Sequence, residues 1–283
     1  MGKMSVKSKI LFLFDNVGTD YVARIFSGAK RSGSAAGFDL DCQNIYGSNR
    51  SVEDVLASAN YAGVVLTPPL SDDRHVLAHL EARGLAYVRI APLLDTMRGN
   101  IIYMDEFDAS RAIVDFMLER GHRRVALLKG PRTHLVSMRR YNGYAAALGG
   151  KGIRVDPTLI EQGDFSRQSG KDIAAALFAM HPTAIFASND EMALGIIDAA
   201  NRSGISIPND ISLVGFDDNA SAKNSIPGLT TVRQPLEEMG EGACRLLTDR
   251  LHNPSLPRGS VEVPYTIVER ASVARCAGDR AAA

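Results

Sequence analysis

Short apolar, β-rich runs alternate with stretches of helical periodicity along nearly the whole chain, and this alternation restricts the fold more than any other feature. It is the pattern of βαβ units wound on a parallel sheet. Strands are predicted at residues 9–14, 38–45, 63–66, 85–90, 101–104, 124–128, 158–162, 183–187, 211–216 and 262–269. Helices are predicted near 20–36, 51–60, 72–83, 106–120, 135–149, 167–180, 190–203 and 235–251. The first helix places Val22, Ile25, Phe26 and Ala29 on one apolar stripe, and Gly37 follows as a left-handed cap. The layout occurs twice, once from residues 10–15 through Gly37-Phe38 and again from 125–130 through Gly152-Ile153. The expected class is therefore α/β, with two similar doubly wound parallel-sheet halves. Right-handed crossovers put ligand-binding loops at the carboxyl ends of such strands, here just after residues 14, 66, 90, 128, 187 and 216.

The chain has 283 residues, enough for one large or two ordinary domains, and its 45% hydrophobic content excludes disorder and collagen. Its 32 basic and 32 acidic side chains cancel, and no basic tract is present. That leaves no overall field to draw a polyanion, so this chain alone is expected to bind nucleic acid poorly. No apolar run approaches the ~20 residues of a bilayer helix. Cys42, Cys244 and Cys276 form no CxxC pair, which points away from a disulfide scaffold or zinc knuckle and towards a reducing cytoplasm. Lysines precede the apolar run Ile10-Leu11-Phe12-Leu13-Phe14, but five residues are too short for a secretory core and no small-residue cleavage site follows.

Enzyme signatures are missing: GxGxxG, GxxxxGK[ST], HExxH and GxSxG do not occur. Ser27-Gly28-Ala29-Lys30 matches SxxK, yet it lies inside an amphipathic helix with no KTG or SDN partner. His75 and His79 stand four apart on the 72–83 helix, but Val76 replaces the Glu that a metalloprotease needs and no third ligand follows. His122, after Gly121 at a helix end, suits the helix dipole better than catalysis. No enzyme, cofactor or metal is expected.

The most specific stretches are Gly130-Pro131 with Arg140-Tyr141-Asn142-Gly143-Tyr144, residues 186–195 (FASNDEMALG), residues 207–218 (IPNDISLVGFDD) and residues 227–235 (PGLTTVRQP). In this order and spacing the chain, from about Lys9 to Val273, resembles the ligand-sensing core of the LacI/GalR family of bacterial transcriptional regulators, which is similar in fold to periplasmic sugar-binding proteins. The resemblance implies two subdomains joined by three crossover strands, with a small ligand in the cleft between them. The first is expected to comprise residues 7–104 plus 235–260, the second 105–234 plus 261–276. It further implies that operator DNA is read by an N-terminal helix-turn-helix and hinge helix that this sequence lacks. A homodimer is expected, with the 72–83 helix and the segment near 235–251 taking part.

The family pattern selects the site residues. Asp217 follows an apolar strand, where its carboxylate can accept hydrogen bonds from neighbouring sugar hydroxyls; the neighbouring Asp218 fits better as a turn or cap residue. Arg140 matches RxxG[FWY] and offers a fork of donors to hydroxyls or a carboxylate. Asn189 either caps the 190–203 helix or also reaches the ligand through its amide. Phe165 matches the aromatic that packs on a sugar's apolar face, with core packing as its rival role, and Gln234 lies at the last crossing as ligand contact or hinge. From the first subdomain, Asn16 and Tyr21 in the loop after strand one and Thr67 before Pro68-Pro69 are expected to line the cleft. The chain departs from a frequent family pattern after the fourth subdomain-one strand, carrying Arg89-Ile90-Ala91-Pro92 where an acidic residue often follows. That change, and the absence of tryptophan, weigh against a simple neutral hexose. The competing reading is a periplasmic sugar-binding protein of a transport system, which would need an export signal.

Overall fold

A computed structural model of the chain describes residues 8–15 and 19–276. In chain order its elements are β1 (Lys9–Phe14), α1 (Thr19–Ala35), β2 (Asp39–Asn44), α2 (Val52–Ala57), β3 (Tyr61–Leu66), α3 (Arg74–Ala82), β4 (Ala86–Ile90), β5 (Asn100–Tyr103), α4 (Glu106–Glu119), β6 (Val125–Lys129) and α5 (Leu135–Gly150). There follow β7 (Ile160–Gln162), α6 (Arg167–Ala179), β8 (Ala184–Ala187), α7 (Asp190–Ser203), β9 (Ser212–Val214), α8 (Ala220–Asn224), β10 (Thr231–Arg233), α9 (Leu236–His252), β11 (Ser260–Glu262) and β12 (Thr266–Val268). The chain divides into two compact units. The first runs to Met104 and includes Pro235–Pro264; the second is Asp105–Gln234 with the chain from Tyr265 onward.

In the first unit six parallel strands lie in the order β11-β5-β4-β3-β1-β2. Apolar runs such as Ile10, Leu11, Phe12 and Leu13 are fully buried, as expected for strands covered by helices on both faces. Helices α1 and α9 pack closely because Gly28 and Gly240 sit at their crossing. A Cβ on Gly28 would fall 1.9 Å from the Glu237 carbonyl oxygen, and one on Gly240 1.9 Å from that of Ile25. Ser27 and Lys30 point outward on the same helix, and the Ser27 hydroxyl accepts from Arg31.

Arg89, noted in the sequence as a departure near the ligand loops, is a structural strut of this unit. It is fully buried and spends its guanidinium on its own surroundings: Nε donates to the Ser71 carbonyl, Nη1 to those of Asp95 and Arg98, and Nη2 to that of Leu94 and to the Asp72 carboxylate. Asp72 in turn accepts from the Leu93 and Leu94 amides. Together the two side chains fix the backbone of the 91–99 loop.

The second unit repeats the winding with four parallel strands in the order β7-β6-β8-β9, flanked by the antiparallel pair β10-β12. In both units the first two strands pair and the third lies on the other side of the first, so the winding reverses between β1 and β3 and again between β6 and β8. In doubly wound sheets, that reversal leaves a crevice at the strand carboxyl ends. Two short elements were not foreseen, α8 and β10, and the expected strand 262–269 is two strands, β11 and β12, interrupted at Val263-Pro264-Tyr265. Proline supplies no amide to a ladder, which explains the break. Among the described residues no helix is long and apolar enough to cross a membrane.

Candidate ligand-binding site

The carboxyl ends of β6, β8 and β9 bring four of the expected residues together. Asn189 is the N-cap of α7: its Oδ1 accepts from the Met192 amide at 3.0 Å, and Nδ2 donates to the Phe165 carbonyl at 2.9 Å. Both ends of the amide are thus engaged in holding the α7 start against the loop after β7. Phe165 stands at φ +72°, a region that costs a side-chain-bearing residue energy. Its ring meets His134 edge-on at 5.8 Å and fills the space beside Gly130, where a Cβ would fall 2.1 Å from the ring. Burial holds the His134 imidazole below its ordinary value.

Arg140, in the second turn of α5, is 5% exposed. Its Nε donates to Glu106 Oε2 at 2.8 Å, Nη2 to Glu106 Oε1 at 3.3 Å and Nη1 to the Ser188 carbonyl at 2.5 Å. The Phe216 ring lies flat against it, 3.8 Å from the guanidinium carbon, and Asp217 Oδ1 is 3.9 Å from Nη1. Glu106 was placed by sequence reading only at the start of a helix; the structure makes it the principal partner of the key arginine. Asp105 caps α4 by accepting from the Phe107 and Asp108 amides, so Glu106 is free of the helix end and turns to Arg140 instead.

Asp217 follows Phe216 at the end of the β9 run with φ +125°, and Asp218 has φ +54°. The strained backbone is held from several sides: the Asp217 amide donates to the Val232 carbonyl, and the Asp218 carboxylate accepts from Arg233 at 2.6 Å and Arg270 at 2.5 Å. Burial works to raise the Asp218 carboxyl, but Arg270 and Arg233 outweigh it and keep it below the usual range. Asp217 Oδ1 accepts from Gln234 Nε2 at 2.6 Å, and Gln234 is 3% exposed. Desolvation pushes the Asp217 carboxyl up, with Arg140 working against it and Asp190 adding to it. Behind the loop, fully buried Asp190 accepts from the Thr231 hydroxyl at 2.6 Å and the Asn219 amide at 2.9 Å, and burial lifts it to about 6.

In the first unit, Thr67 ends β3; its side chain is fully buried and its hydroxyl has no hydrogen-bond partner among the described residues. Tyr21 lies in the first turns of α1, partly buried, and Asn16 lies outside the described residues. His122 is buried, with Nε2 3.1 Å from the Ala274 carbonyl oxygen and desolvation holding it below its ordinary value. His79 lies 3.8 Å from Glu53, and among the described residues no three His, Cys, Asp or Glu side chains are placed to hold a metal ion.

The strand ends of this doubly wound core thus gather a guanidinium, two carboxylates and an amide, groups able to hydrogen-bond a small polar molecule. Residues 114–273 match the family model of the periplasmic binding protein-like domain. The HTH-type transcriptional repressor PurR of Klebsiella pneumoniae (strain 342) is 39% identical over 161 residues, 56% of this chain and 47% of that protein. The chain spans about half the length of the curated relatives it matches. The transcriptional regulator CelR in complex with cellobiose superposes with a TM-score of 0.84 at 27% identity, over 94% of this chain and 86% of that one. The lac repressor dimer bound to operator and the anti-inducer ONPF shares the fold, with a TM-score of 0.83 at 24% identity over 96% of each chain. The chain belongs to the periplasmic binding protein-like family, and the relatives and solved structures it resembles here are transcriptional regulators.

Proposed function

We propose that this chain is the sensing part of a DNA-binding transcriptional repressor, that it binds a small hydroxyl-rich effector at the strand ends of the second unit, and that it acts without catalysis. The observation that carries this is Asp217: a carboxylate on strained backbone, fixed by the Val232 carbonyl and Gln234 and set beside the buried Arg140. Strain persists only where surrounding structure over-determines it, and it concentrates at ligand sites. The cellobiose complex of CelR supports the ligand class, and the name of PurR supports the repressor role. A regulator that reads two half-sites works as a two-fold dimer, so the proposed state is a homodimer, in a reducing cytoplasm that suits three free cysteines. Operator binding would come from a helix-turn-helix outside this sequence, because a chain of zero formal charge has little counterion release to drive it. The transport reading has less support, since the relatives compared are regulators.

Calorimetric titration with pentoses, hexoses, β-linked disaccharides and uronates tests the reading. A binder is expected, and Asp217→Asn should weaken it by about ten- to a hundredfold, the loss that follows when a buried charged partner is removed. Unchanged affinity for a genuine ligand in that variant would place the site elsewhere.

A further inference from the structure

We propose that Glu106 sets the charge class of the effector, closing the site to carboxylates and phosphates and leaving it to uncharged or amine-bearing polyols. This rests on the ligand-binding reading above. A buried arginine at the end of a doubly wound sheet would ordinarily be a grip for an anion, because the guanidinium edge formed by Nε and one Nη matches both oxygens of a carboxylate or phosphate. Here that edge is already occupied by Glu106, through Nε at 2.8 Å and Nη2 at 3.3 Å, while Nη1 donates to the Ser188 carbonyl. Glu106 is itself only 8% exposed, so its charge is poorly screened by solvent and acts on the guanidinium at short range.

The charged side chains nearest the Arg140 guanidinium are acids. Asp217, 3.9 Å from Arg140, and the fully buried Asp190 are both acids. Arg233 at the end of β10 and Arg270 after β12 are paired with Asp218. The cluster of Arg140, Glu106 and Asp217 is neutral when Asp217 is protonated and negative when it is ionised; in neither state is it positive. An entering anion would find the Nε edge of the arginine already taken by Glu106, with the Asp217 carboxyl beside it. A polyol can instead donate to Asp217, and an ammonium group can pair with it.

The test measures one series at constant pH and ionic strength by calorimetry: glucose, glucosamine, glucuronate and glucose 6-phosphate, together with the matching galactose series. With the unaltered chain, the neutral or amino sugar should bind at least ~30-fold more tightly than its uronate and phosphate counterparts. Glu106→Gln should shrink that discrimination by about tenfold or more, chiefly by admitting the anions, and Glu106→Asp should keep most of it. A purely structural role would instead weaken every ligand of the series by the same factor, which overturns the proposal. So would a uronate or phosphate that binds the unaltered chain as tightly as the parent sugar. If no compound of either series binds, the failure is that of the sugar-effector reading, and it is recognised by the absence of any heat rather than by a changed ratio.

Discussion

Among the described residues each unit has one buried arginine, and the two are used in opposite ways. Arg89 of the first unit donates to four backbone carbonyls and one carboxylate, all within its own loop and the turn before α3. Arg140 of the second unit donates to one carbonyl and otherwise faces side chains: Glu106, the Phe216 ring and Asp217. Backbone carbonyls are fixed once the fold is fixed, so an arginine spent on them is a strut. Carboxylates and rings at strand ends are groups that a ligand can also address, so under the proposed function an arginine placed among them would act on binding as well as on stability. Burial alone does not separate the two roles; the identity of the acceptors does.

The largest effect should come from breaking the strut. Arg89→Leu leaves four carbonyls and the Asp72 carboxylate without their donor, and removing one partner of a buried ion pair typically costs about 3–5 kcal/mol. At ~2–4 °C per kcal/mol for a chain of this size, the thermal midpoint of the first unit should fall by about 10 °C or more. Arg89→Lys should rescue little, since a single ammonium cannot span the five acceptors. A scanning-calorimetry midpoint within about 2 °C of the parent would show that the 91–99 loop is held by something else.

Next comes the second arginine, whose removal should act on two readouts. Arg140→Ala strips a buried carboxylate of its partner, so stability should fall by about 2–4 kcal/mol, and effector affinity should fall by roughly a hundredfold. Because the stability loss arises from the stranded Glu106, the double variant Glu106→Gln/Arg140→Ala should regain much of it while affinity stays low. A double-mutant cycle on both quantities separates the contributions. Additive stability losses would mean that the pair is not coupled and that Arg140 resembles Arg89 more closely than the geometry indicates.

The contrast also shows what was legible in the sequence. Helix α7 could be read at its full extent, 190–203, because Asn189 caps it and Gly204 ends it in the left-handed conformation at φ +70°. The fully buried strands announced themselves as apolar runs. The three-residue β10 and five-residue α8 are too short to show a period, and β10 exists through its pairing with β12, which is distant in sequence. Asp217 and Arg140 were singled out through local motifs, and the structure sets them 3.9 Å apart. Glu106 was not, because it meets Arg140 only after the chain folds across 34 positions, and an acid in the first turn of a helix has an ordinary explanation in the helix dipole. Arg89 was noticed for the acid it replaces, while its partners lie on a turn and a loop that no sequence period describes.

The smallest expected effect concerns pH, where one carboxyl of each unit should contribute with opposite sign. In the first unit Glu81 accepts from Arg98 and Tyr87 and is held at about 2, below its ordinary 4.5. Its stabilisation is present above 4.5 and is lost as pH falls towards 2; the pair is largely exposed, so the effect is slight. In the second unit burial lifts Asp190 from 3.8 to about 6, so the folded state holds that proton more tightly than the unfolded one. Its contribution is fully present below 3.8 and is lost as pH rises through about 6. Between those values the stability difference between the unaltered chain and Asp190→Asn should shrink as pH rises, whereas Glu81→Gln should act only at the acid end, on the first unit. Thermal melts from pH 3 to pH 8 check both, and a stability difference between the unaltered chain and Asp190→Asn that stays constant across pH 4–6 would show that Asp190 does not govern that window.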